Sequence, residues 1–166
     1  MKRILWILVL SLFFHSCEKD DICTPETPTT PRLIIEFYDS ENTSVLKQVA
    51  NLAVKGQGLN TALNFNLVSK IELPLKTSED QTLYDFTINS TSATSVFNVD
   101  KIEINYTRRD IYISRACGFK TYYSLNLLNP VVETNPENDT VLWIKDINVI
   151  KNNIENEDNV HVKIFF

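Results

Sequence analysis

The sequence predicts an all-β protein, an antiparallel two-sheet β-sandwich of immunoglobulin-like or similar kind with about eight or nine strands. Three observations lead there. Apolar and polar residues alternate with period two through most of the chain, which is the pattern of half-buried strands. The alternating runs recur at roughly 8 to 12 residues, the spacing of sandwiches and barrels, and no stretch carries a convincing amphipathic helix. The runs are mostly about five to seven residues long, short of the roughly 9 to 11 that a strand needs to cross a bilayer. The aromatic alternation ending at Phe166 resembles the close of an outer-membrane barrel, but run length argues against that architecture.

Taken in order, the first run is 33–38, with Leu33, Ile35 and Phe37 on one side and Ile34, Glu36 and Tyr38 on the other. A turn over 39–44 leads to a second run, 48–55, closed by Gly56-Gln57-Gly58, and a third, 63–68, where Leu63, Phe65 and Leu67 alternate with asparagines. The stretch 71–75 is apolar but holds Pro74, which cannot donate to a ladder and so predicts an edge strand or a bridge between sheets. Residues 82–88 alternate again through Tyr84, Phe86 and Ile88. After a Ser/Thr/Ala loop over 90–95, Ile102, Ile104 and Tyr106 set one face of the next strand. Asp110 is read as turning the chain back into 111–114, a hairpin that leaves Cys117 at a strand end beside Gly118. Residues 122–128 suit either strand or helix, 129–139 are a loop with two prolines, and 141–149 are apolar around Trp143. The chain closes on an alternating run, 160–166, and a strand at an extreme terminus has to be held inside a sheet.

Ahead of these runs lies a leader with basic Lys2 and Arg3, an apolar core from Ile4 to Phe14, and the small residue Ser16 before Cys17. It is shorter than the roughly 20 apolar residues of a membrane span. Ser16-Cys17 resembles the lipobox of bacterial lipoproteins, with Phe14 where Leu is usual and the bulkier His15 before Ser16. The resemblance implies cleavage before Cys17 and acylation of its thiol, with palmitate among the acids it could carry, and hence a membrane partner through that anchor. Next, Lys19, Asp20 and Asp21 resemble the export signal that carries some Bacteroidota lipoproteins to the outside of the outer membrane. The expected organisation is a signal peptide over 1–16, a lipidated linker over 17–31, and one sandwich domain over 32–166. The linker is rich in Thr and Pro from Thr24 to Pro31, which favours an extended spacer.

With Cys17 acylated, Cys23 and Cys117 remain as a pair in an oxidising compartment, and a disulfide between them is the natural expectation. Cys117 lacks a Cys-x-x-Cys partner, which argues against a reactive thiol. Loss of Lys2 and Arg3 takes the formal charge from −5 to −7. An acidic chain without a basic cluster is a poor nucleic-acid binder, since phosphate contacts need concentrated Lys and Arg.

No catalytic residue, cofactor or metal is expected. His161 is the single histidine left after cleavage, and its alternation with Val160 and Val162 reads as a partly exposed sheet position. One histidine and two paired cysteines cannot build a transition-metal site. Asn152, Asn153, Glu155, Asn156, Glu157 and Asp158 offer calcium-type oxygens in one loop, without the central glycine and alternating acids of an EF-hand. A glycosidase needs two carboxylates across a cleft, and no one pair stands out among many. The Asn-x-Ser/Thr patterns at Asn42, Asn89, Asn105 and Asn138 carry little weight in a bacterial lipoprotein. Of Tyr112, Tyr122, Tyr123 and Trp143, most are expected in the core, with one available for stacking on a sugar or partner.

Three signatures, Cys17-Glu18-Lys19-Asp20-Asp21-Ile22-Cys23, Arg115-Ala116-Cys117-Gly118-Phe119-Lys120 and His161-Val162-Lys163-Ile164-Phe165-Phe166, together resemble an uncharacterised family of small flavobacterial lipoproteins. That resemblance implies an envelope location and adds no activity. The expectation is a surface-exposed, lipid-anchored outer-membrane protein that is not an enzyme but a structural or protein-interaction module. The alternatives are a surface glycan binder or, behind it, a hydrolase using an acidic pair.

Overall fold

A computed structural model describes residues 22–91, 98–134 and 141–166. Eleven strands and no helix occur among the described residues: β1 (Leu33–Tyr38), β2 (Leu52–Gly56), β3 (Leu63–Phe65), β4 (Lys70–Leu73), β5 (Gln81–Ile88), β6 (Asn98–Ser114), β7 (Gly118–Leu125), β8 (Val131–Thr134), β9 (Asp146–Val149), β10 (Asn153–Ile154) and β11 (Val162–Phe165). Two short strands have no counterpart among the expected runs, β8 in the stretch read as a loop and β10 in the polar run after 149, while β9 takes up only the end of the apolar run 141–149. The described residues fall in two compact units, one from 30–110 with 121–166, the other from 111–120 with 22–29.

The larger unit is the β-sandwich. One sheet has four strands in the order β4-β1-β11-β9, and the other has seven, ordered β10-β7-β6-β5-β2-β3 with β8 also paired to β6. In the four-stranded sheet β4 and β1, and β11 and β9, pair antiparallel, while β1 and β11 run parallel with Ile35 opposite Val162 and Tyr38 opposite Phe165. The parallel pair answers how the last strand is held. It lies between β1 and β9, and Lys47 Nζ donates 2.7 Å to the carbonyl of Phe166. Alternate residues of both sheets fill one core, with Leu33, Ile35 and Phe37 from β1, Phe86 from β5, and Ile102, Ile104 and Tyr106 from β6.

Pro74 ends β4 at the edge of the four-stranded sheet, where its missing N–H costs nothing. Past it the chain crosses towards β5 and leaves three successive carbonyls outside either ladder. Each accepts a tyrosine hydroxyl: Tyr84 binds Pro74, Tyr123 binds Leu75 at 3.1 Å, and Tyr106 binds Lys76 at 3.0 Å. Buried carbonyls need partners, and these three tyrosines from neighbouring strands supply them. Burial, more than any charge, raises the Tyr84 and Tyr123 hydroxyls to about 12, so both stay protonated donors.

The hairpin expected at Asp110 is not there. β6 runs unbroken for 17 residues to Ser114, because Asp110 takes part in the pairing: Thr121 Oγ1 on β7 donates 2.7 Å to its Oδ1. Reversal comes later, at 115–117, where Gly118 adopts a φ of 70° that a side chain would strain. The stretch left open between strand and helix, 122–128, is strand through Leu125.

The smaller unit is the tip of this β6–β7 hairpin with the N-terminal segment. Cys23 and Cys117 are disulfide-bonded with Cα atoms 5.1 Å apart. Ser114 Oγ accepts the Cys117 N–H at 3.1 Å, closing the turn, and the rings of Tyr112 and Phe119 meet edge to face at 5.3 Å.

Candidate functional site

The antiparallel strands β6, β7 and β10 bring Arg109, Tyr122, Ser124, Asn153 and Glu155 to one shallow cleft of about 300 Å³ in the larger unit. Strand register sets its chemistry. Asn153 pairs with Ser124, and Ser124 Oγ donates 3.1 Å to Asn153 Oδ1. The Arg109 guanidinium lies 5.8 Å from the Tyr122 ring centroid and 3.3 Å from Glu155 Oε1. A planar cation against an aromatic face, beside a carboxylate and an amide, is a set that can stack on and hydrogen-bond a polyhydroxylated ring. Of the four aromatics singled out from sequence, Tyr122 and Tyr123 both border this cleft, but Tyr123 is buried in the core, as is Trp143, and Tyr112 is exposed on the hairpin tip.

The loop from residue 152 to 158 does not gather its oxygens. Glu155 turns to Arg109, Asn153 to Ser124, and Asn156 caps the Asp158 N–H. Glu157 takes a bidentate contact from Arg32 at 2.8 and 2.7 Å, which pulls its carboxyl down to about 2. No group of three acidic, histidine or cysteine side chains converges among the described residues.

His161 requires a correction. It is fully buried rather than partly exposed, because the parallel β1–β11 pairing draws it under Ile34. Its Nδ1 accepts the Ile34 N–H at 3.0 Å while the His161 backbone N–H donates to the Ile34 carbonyl at 3.0 Å, so the imidazole ends the ladder as a backbone carbonyl would. An accepting Nδ1 places the proton on Nε2, a buried atom with no hydrogen-bond partner. Burial first, then the charge of Lys151, lowers its pKa to about 4 and keeps it neutral.

Sequence reasoning also passed over an acidic pair. Asp100 stands in phase with Ile102, Ile104 and Tyr106, at a core-facing position of β6, and is fully buried. Its Oδ2 accepts the N–H groups of Trp143 at 2.9 Å and Ile144 at 2.8 Å, which fixes the irregular segment before β9. Glu133 of β8, opposite Ile102, shares this face. Burial, then a hydrogen bond to Asp100 and its charge, raises the Glu133 carboxyl to about 7. The phase of Asp100 was the available signal, since an acid in a core register needs a partner. Neither carboxyl lines the Arg109–Tyr122 cleft.

Cys17, Lys19, Asp20 and Asp21, with the leader 1–16, lie outside the described residues, as do Asn138 and residues 92–97 of the Ser/Thr loop. The fold and staple define a disulfide-bonded, all-β sandwich protein. Residues 51–166 match the model of DUF6452, a family of unknown function, and the chain belongs to that family. The match includes Cys117 and β2 to β11 and begins after Cys23 and β1. No curated protein and no solved structure matches the chain.

Proposed function

We propose that this protein is a lipid-anchored, non-enzymatic module of the outer membrane, displayed at the cell surface and serving to hold another envelope protein. The observation that carries this reading is the Cys23–Cys117 disulfide six residues beyond Cys17, since stable disulfides belong to exported compartments. Acylated Cys17 is the anchor, Lys19, Asp20 and Asp21 are the export signal, and the Thr/Pro segment is the spacer. The groups with most catalytic potential are committed to structure: the cysteines to each other and the His161 Nδ1 to the backbone. For a protein partner, Leu127 and Leu128 stand almost fully exposed between β7 and β8. The test is labelled-palmitate incorporation with protease accessibility on intact cells. Label in the native chain but not in Cys17→Ala, with external cleavage lost when Lys19, Asp20 and Asp21 become alanine, is the expected result.

The second reading, a surface glycan binder, is favoured by the Arg109–Tyr122 cleft. Retardation in polysaccharide gels that disappears in Tyr122→Ala would support it.

A further inference from the structure

We propose that β8 is a proton-held latch: it stays paired to β6 while Glu133 and Asp100 share one proton in their buried contact, and it releases from β6 when that proton is lost. The latch lies within the larger unit and works with or without the lipid anchor.

Strand register builds the contact. Glu133 stands opposite Ile102 on β6, and opposed residues of an antiparallel pair project to the same face. Ile102 faces the core, as does Asp100 two residues before it. An acid on a four-residue strand is thereby turned inwards onto a fully buried one. Glu133 Oε1 is buried, and no N–H or hydroxyl donor reaches it among the described residues. Its carboxyl instead hydrogen-bonds Asp100, and two carboxyl groups can do so only with a proton between them. Asp100 Oδ2 already accepts the Trp143 and Ile144 N–H groups, which favour the ionised form there, so the proton belongs on Glu133.

The surrounding charges leave this proton in place. Lys145, on the segment before β9, opposes it, but its effect is smaller than those of burial and Asp100, and its Nζ donates 2.6 Å to the Leu142 carbonyl. On β5, Phe86 stands opposite Asp100 and brings no charge. Lys101 and Glu103 lie on the other face of β6, opposite Thr134 and Val132. Without the proton, two carboxylates meet where water is largely excluded, which is strongly unfavourable. Asp100 is fixed by two backbone donors, whereas Glu133 rides on a strand with no fully buried residue. β8 is therefore the part that yields, a local opening that unpairs β6 at 101–104 and slackens the loop carrying exposed Leu127 and Leu128.

The experiment is residue-resolved amide hydrogen exchange on the full mature chain with its disulfide intact, from pH 5 to pH 7.5, each rate divided by the intrinsic rate at that pH. The closed pair holds its proton to about 7 and a released Glu133 only to about 4.5. Protection of amides bonded across the β6–β8 ladder is thus expected to fall about tenfold, less than the full shift allows because Glu133 is partly exposed, while the β2–β5 ladder keeps its protection. His161 makes global stability rise with pH, so it cannot produce this local fall. Glu133→Gln, with an amide donor at every pH, should hold the β8 protection constant. A flat native profile overturns the latch, and so does a fall shared equally by the β2–β5 ladder; both are read on the native chain, whether or not the variant folds. A fall that persists in Glu133→Gln belongs to another group and overturns it as well.

Discussion

Glu133 gives the most demanding prediction. Replacing it with Gln keeps the shape and a permanent N–H donor towards Asp100 but removes the titrating proton. In the folded protein the Glu133 carboxyl is raised from 4.5 to about 7, by burial first and by Asp100 second. The folded state therefore binds this proton more tightly than the unfolded chain, and stability must fall as pH rises. The contribution is fully present below about 4.5 and lost as pH passes through about 7. A shift of that size corresponds to roughly 3 kcal/mol at most, and partial exposure of Glu133 reduces it to about 1–2 kcal/mol. His161 acts in the opposite sense over part of the same range, because its pKa is lowered to about 4 and its stabilisation is lost as pH falls from 6.5. The native protein alone would thus show a blunted profile, and the difference between native and Glu133→Gln isolates one group. Calorimetry from about pH 5 to pH 8 should show the Tm of the native protein, relative to the variant, falling by about 3–6 °C. A difference that stays flat, or rises, would refute the shared proton.

Three further outcomes follow from the same structure. Replacing Cys23 and Cys117 by alanine opens a loop of 94 residues and should cost up to about 4.7 kcal/mol by the loop-entropy model, read as a denaturation midpoint shift that matches reduction of the native protein. His161→Leu leaves the Ile34 N–H without an acceptor and should cost about 1–3 kcal/mol at pH 7, while flattening the loss of stability between pH 6.5 and 4; an unchanged acid limb would refute the role of the imidazole. Glu157→Gln should cost under about 1 kcal/mol at neutral pH, since the Arg32 pair is half exposed, and should remove a decline that the native protein shows as pH falls from 4.5 towards 2.

Sequence by itself determined the class of fold and most of its strands, because period-two alternation is a local consequence of a pleated backbone with one buried face. It placed β1, β5 and the terminal strand, anticipated Pro74 at an edge, and paired Cys23 with Cys117 by counting. What it missed depends on residues far apart in the chain. Asp110 reads as a turn until Thr121 on the neighbouring strand gives its carboxylate a partner, and His161 reads as exposed until β1 is laid parallel beside it. Asp100 reads as one acid among many until Glu133 and the backbone of Trp143 and Ile144 arrive around it. Arg109, Tyr122 and Glu155 become a cleft only through strand register, as Tyr112 and Phe119 become a pair only across the hairpin. Local pattern fixes which way a side chain points; tertiary pairing alone decides what it meets there, and the energy of a polar group depends on that partner.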